Sequence, residues 1–106
     1  MSADEVAKLT GVGWARHSRH YSEARQMKSL TEAGCGRIYR AADHTIHDLI
    51  RSLRPEQPEP VMVTTLARLA PTREALRDVL EQIHSRGCWV YEVATTRSTQ
   101  GGAVAT

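Results

Sequence analysis

The amino-acid sequence predicts an α/β domain: an open, mainly parallel, four-stranded sheet with helices on both faces. Three observations predict it. Short apolar runs rich in β-branched residues alternate with stretches whose apolar residues recur every three to four positions. Single helical stretches separate successive strands, which makes neighbouring strands parallel and their crossovers right-handed. The chain has 106 residues and 41% hydrophobic content, enough for one modest core and one domain.

Leu9 to Ala15 reads as the first strand, with Val12 and Trp14 on one face. Tyr21 to Ala33 reads as a helix, because Ala24, Met27, Leu30 and Ala33 recur at helical spacing. Gly34 is suited to end it in a left-handed conformation. Arg37 to Arg40 is a short second strand. Asp43 to Leu53 is the next helix, with Asp43 as its N-cap and Ile46, Leu49, Ile50 and Leu53 as its apolar stripe. Pro55, Pro58 and Pro60 then break the chain. Val61 to Leu66 is the third strand. Pro71 or Thr72 opens a helix whose stripe is Leu76, Val79, Leu80 and Ile83, and Gly87 closes it. Trp89 to Val93 is the last strand. Both tryptophans, Trp14 and Trp89, read as core. Residues 1–8 are expected to be an N-terminal extension, residues 9–94 the domain, and residues 95–106 a flexible tail.

Bulk properties narrow the function classes. No apolar run approaches the roughly 20 residues of a membrane span. Met1 to Glu5 lacks the basic and apolar blocks of a signal peptide, so a cytoplasmic chain with no membrane partner is expected. Cys35 and Cys88 each follow a glycine and read as small packed residues rather than a disulfide. Formal net charge is only +2, yet twelve of the fourteen basic residues are arginine, the side chain that grips phosphate bidentately. His17 and His20, and His44 and His47, share an i, i+3 spacing, but no third ligand stands at recognised spacing. Neither a metal nor a small-molecule cofactor is expected.

Open parallel sheets place their sites beyond the carboxyl ends of the strands. Two segments qualify: Arg16-His17-Ser18-Arg19-His20 after the first strand, and Ala67-Arg68-Leu69-Ala70-Pro71 after the third.

These segments carry a family likeness. Gly13-Trp14-Ala15-Arg16-His17-Ser18 resembles the opening signature of the serine recombinase (resolvase/invertase) family, glycine-tyrosine-alanine-arginine-valine-serine. Thr65-Leu66-Ala67-Arg68-Leu69-Ala70 resembles its second signature, leucine-aspartate-arginine-leucine followed by a small residue and arginine. Ala33-Gly34-Cys35, Leu53-Arg54-Pro55, His84-Ser85-Arg86-Gly87 and Ser98-Thr99-Gln100-Gly101 fit the same frame, so the resemblance spans about residues 10 to 102. It implies the family's catalytic domain, in which a serine attacks a DNA phosphodiester while arginines cradle the phosphate. By position, Ser18 would be the nucleophile, Arg16 and Arg68 catalytic phosphate clamps, and Arg19 and Gln26 further phosphate or DNA contacts.

The departures from the pattern bear on the chemistry. Ala67 stands where the family has a carboxylate, and Pro71 where it has an arginine. The serine-glycine turn expected after the second strand is absent from Arg40-Ala41-Ala42-Asp43, and His17 replaces the valine before the serine. Losing one preorganised electrostatic partner costs about 10²–10³ in rate. The 106 residues also leave no room for the family's long dimerisation helix or its helix-turn-helix. The expectation is a resolvase-like domain that is impaired in catalysis and binds DNA backbone weakly, as a homodimer or as an accessory to a full-length recombinase. Two alternatives stand beside it. One is an active recombinase forming a phosphoseryl link through Ser18. The other is a protein-interaction or structural domain with no DNA role.

Overall fold

The computed structural model describes residues 11–99. Its strands are β1 (Gly11–Ala15), β2 (Cys35–Arg40), β3 (Pro60–Val63), β4 (Trp89–Glu92) and β5 (Arg97–Ser98). Its α-helices are α1 (Glu23–Glu32), α2 (Ile46–Ser52) and α3 (Arg73–Ser85), and a 3₁₀ turn spans Leu66–Arg68. The strands form one sheet in the order β2-β1-β3-β4-β5. Every neighbouring pair is parallel except β4 and β5. The α/β class and the parallel sheet are those the sequence predicts, with five strands in place of four.

The chain steps outward from β1 to β2, then returns past β1 to build β3 and β4 on its other side. The carboxyl ends of β1 and β3 therefore flank the point where strand order reverses, the place where such sheets take ligands.

Strand alternation divides the core into two layers. Val12, Trp14, Val61, Val63 and Val90 point to one face, where they meet Leu49, Ile50 and Leu53 of the α2 region and Val79, Leu80 and Ile83 of α3. Ala15 and Met62 point to the other, where Leu30 of α1 buries itself with Met27 and Ala33 packed alongside. Gly13 permits that second layer. A Cβ there would lie 3.0 Å from the Cys35 Sγ, 3.1 Å from Ile38 Cγ1 and 3.2 Å from Leu30 Cδ1. A side chain there would require those neighbours to give by a few tenths of an ångström. Among the described residues a single helix serves this face, and Tyr91 and Val93 on it are half-buried.

Local chemistry explains the helix boundaries. Ser22 caps α1 by accepting from the Arg25 N–H, and Gly34 follows the helix at φ 106°, the conformation glycine adopts most freely. Thr72 caps α3 through the Ala75 N–H, and Gly87 ends it at φ 75°. The cap of α2 differs from the sequence expectation. It is Thr45, not Asp43, because Thr45 and Asp48 form a reciprocal capping box. Asp43 instead belongs to a turn in which the Arg40 carbonyl accepts from the N–H groups of Asp43 and His44. The Thr45 backbone N–H, helped by Arg51, holds the Asp48 carboxyl below the usual carboxylate range.

Three further expectations are corrected. The third strand stops at Val63, and Leu66 begins the 3₁₀ turn, its N–H donating to the Glu92 carboxylate at 2.8 Å. Trp89 is only partly buried, whereas Trp14 is core. The segment expected to be a flexible tail from residue 95 is held as far as Thr99. Thr99 is buried, its Oγ1 accepts from the Val90 N–H at 2.8 Å, and the same oxygen lies 2.9 Å from His84 Nε2. Backbone pairing to β4 makes this edge, so its polar side chains carry no apolar signal. Residues 1–10 and 100–106, with the extension and the remainder of the tail, lie outside the described residues.

Among the described residues, no helix is long and apolar enough to cross a membrane. The α3 stripe supplies a direct test of the layer assignment. Leu80 is 7% exposed, so Leu80→Ala is expected to lower stability by about 2–5 kcal/mol in chemical denaturation. An unchanged midpoint would show that α3 does not pack on the sheet.

Candidate functional site

β1 delivers Arg16 at its carboxyl end, and a fully buried side chain then shapes the loop that leads to α1. Gln26 of α1 is 0% exposed. Its Oε1 accepts from the Arg16 N–H at 3.0 Å, and its Nε2 donates to the carbonyls of Arg16 and Tyr21. Both amide hydrogens are thus committed to backbone. The resemblance makes Gln26 a phosphate contact; here its amide is spent on the backbone. It is the clamp that anchors the loop between β1 and α1.

Within that loop, residues 18–21 close on themselves. Ser18 N–H donates to the Tyr21 carbonyl at 3.1 Å, and Tyr21 N–H returns to the Ser18 carbonyl at 3.3 Å. The Ser18 hydroxyl also donates to the Tyr21 carbonyl, at 3.3 Å. No acidic or imidazole side chain lies within hydrogen-bonding reach of that hydroxyl among the described residues, so no base is in place to activate it. Tyr21 is itself held twice. Arg25 sits 5.2 Å from its ring centroid, and its hydroxyl lies 3.3 Å from Ser29 Oγ.

The second segment is tied to the first. Trp14 Nε1 donates to the Arg68 carbonyl at 2.8 Å, and the Arg16 guanidinium donates to the Ala67 carbonyl at 2.9 Å. These two bonds hold the 3₁₀ turn against the end of β1. They also bring Arg16 within reach of the Arg68 charge. Burial, and then the Arg68 charge, lower the Arg16 pKa from its ordinary value. Ala67, where the resembling family has a carboxylate, supplies only its backbone oxygen.

The loop, the turn and the end of β4 enclose a cleft of about 380 Å³. Ser18, Arg19, His20 and Arg68 stand around it, Thr64 and Thr65 line it from the end of β3, and Val93 and Ala94 line it from the end of β4. By strand alternation, Thr64 and Val93 belong to the α1 face, the side that carries a single helix. The cleft is thus the part of that face left open beside α1.

Of the five residues singled out from sequence, Ser18, Arg19 and Arg68 meet at this cleft, Arg16 stands beside Arg68, and Gln26 lies beneath as scaffold. Tyr21, Ser29, Thr64, Thr65 and Val93 are additions that only the structure makes. The signal for the two threonines is their position directly after a strand, obscured because their β-branched side chains prolong the strand pattern past its true end. Ser29 and Val93 carry no local signal. His17 is exposed at the strand end. His44 and His47 do not share a helix: His44 precedes α2, with its ring edge-on to Tyr39 and 4.9 Å from it. Among the described residues, no group of three His, Cys, Asp or Glu side chains is placed to hold a metal ion.

No family model matches the chain, and no curated protein matches it in sequence.

The clamp can be tested apart from any activity. Gln26→Leu leaves the N–H and the carbonyl of Arg16 without partners, at about 1–3 kcal/mol for each stranded group. The expected result is a lower thermal midpoint together with faster hydrogen exchange at the Arg16 amide. Unchanged exchange at that amide would show that Gln26 does not hold the loop.

Proposed function

We propose that this domain grips nucleic-acid phosphate through Arg16 and Arg68, and that it is a resolvase-like domain impaired in strand cleavage. In this reading it serves DNA recombination as a backbone-binding partner or as an accessory to a full-length recombinase, not as the cutting enzyme.

One observation carries the reading. Arg16 and Arg68 lie side by side at the switch point of the sheet, and neither has a carboxylate partner among the described residues. Three other arginines of the chain are already neutralised. Arg37 pairs with Glu59, Arg40 with Glu23 and Asp43, and Arg51 with Asp48. Two adjacent guanidinium groups repel, and a shared anion relieves that repulsion while accepting their hydrogen bonds. Arg19 and His20 at the same cleft add donors for it. The resemblance to serine recombinases supplies the choice of DNA phosphate over other anions. Ser18 supports the impaired reading, because its hydroxyl is turned to a backbone carbonyl and lacks a base.

The test is fluorescence anisotropy with a mixed-sequence DNA duplex at about 50 and 200 mM salt. Wild-type affinity is expected to fall steeply with salt, with a logarithmic slope of about −0.9 for each phosphate neutralised. Arg16→Ala/Arg68→Ala should weaken binding to all sequences alike and reduce the slope by about two. No binding at the lower salt would remove the DNA reading and favour a protein-interaction domain. In parallel, wild type and Ser18→Ala should both leave supercoiled DNA intact. Nicking by the wild type alone would restore Ser18 as a nucleophile.

A further inference from the structure

We infer that the cleft beside α1 takes a single nucleotide unit, with its phosphate at Arg68 and its base against Tyr21 and Val93. This rests on the phosphate reading above and narrows it, since it names what the phosphate is attached to.

The walls of the cleft differ in chemistry. Arg19 and Arg68 bring positive charge to its lining, while Val93 and Ala94 at the end of β4 bring apolar surface. A duplex presents phosphate and sugar on its outside and keeps its bases stacked within. It could satisfy the arginines but would leave the apolar lining unfilled. Inorganic phosphate would do the same. A phosphate carrying one unstacked base satisfies both, because the base brings a flat apolar surface in line with the charged group.

Size and rigidity agree. About 380 Å³ lies at the lower end of the range for sites that take organic ligands. Tyr21 is a preformed stacking surface: Arg25 and Ser29 hold its ring, and the turn closed by Ser18 and Gln26 holds its backbone. A ring already fixed loses little freedom when a base stacks on it. Thr64 and Thr65 add hydroxyl-bearing side chains to the same lining, as a sugar would need. The position, between the ends of the strands flanking the reversal of strand order, is where open parallel sheets accommodate nucleotides in general.

Isothermal titration calorimetry on the whole chain tests this with four probes: AMP, adenosine, inorganic phosphate and a 5′-phosphorylated tetranucleotide. AMP is expected to bind at least about tenfold more tightly than phosphate or adenosine, since both halves of the ligand are used. Arg68→Ala should cost about ten- to a hundredfold in AMP affinity and leave adenosine unaffected. Tyr21→Leu should cost about five- to a hundredfold in AMP affinity and leave phosphate unaffected. The wild-type comparison among probes needs no variant, so it holds even if one of these proteins folds poorly. Equal affinity for AMP and the tetranucleotide would identify a free nucleotide as sufficient, and tighter tetranucleotide binding would identify a strand end; both support the inference. Equal affinity for AMP and phosphate overturns it. So does the absence of AMP binding in a protein that still binds duplex in a salt-dependent manner, and in both cases the phosphate reading survives. If neither duplex, AMP nor phosphate binds, both readings fall together.

Discussion

The site depends on one buried amide. Gln26 sits inside the contact between α1 and β1, where an unpaired polar group would be costly. Its two donors and its oxygen are matched to two carbonyls and one N–H of the loop, so the loop has one arrangement that keeps the interior satisfied. The position of Arg16, the closed turn at Ser18 and the backbone of Tyr21 all derive from that arrangement. Gly13 favours it, since a side chain there would crowd Leu30 of α1 and Cys35 and Ile38 of β2.

The second half of the site is hung from the first. Trp14 is buried among the α2 and α3 residues, yet its indole N–H reaches the Arg68 carbonyl. The Arg16 guanidinium reaches Ala67, and Glu92 receives the N–H of Leu66 at the start of the same turn. Three bonds from two strands thus fix a three-residue turn and force two like charges together. Folding tolerates the repulsion because both groups remain partly open to water. A cationic pair held by neutral backbone partners is an arrangement suited to an anion.

The same geometry occupies the Ser18 hydroxyl with a backbone carbonyl. A serine needs a base to take its proton and a developing charge held in line. The turn directs its hydroxyl to the Tyr21 carbonyl, and Ala67 removes the carboxylate nearest to the arginine pair. What remains is an arginine pair next to an apolar recess.

Much of the architecture is legible in the order of residues. The βαβ alternation, the apolar stripes of α2 and α3, the glycines after α1 and α3 and the ends of β1 and β3 as the site are determined by the sequence, because spacing alone sets which side chains share a face. Thr45 as the cap of α2 is legible too, in the Thr-x-x-Asp pattern, whose reciprocal bonds outweigh the single acidic side chain of Asp43 two residues earlier. Other features belong only to the tertiary structure. That Gln26 is scaffold rather than ligand depends on which atoms face it across α1 and β1. That residues 97–99 complete the sheet depends on backbone pairing, which leaves no mark on side-chain polarity. That Val93 and Thr64 share a cleft with Ser18 depends on strand order, and strand order brings together residues whose separation along the chain carries no local signal.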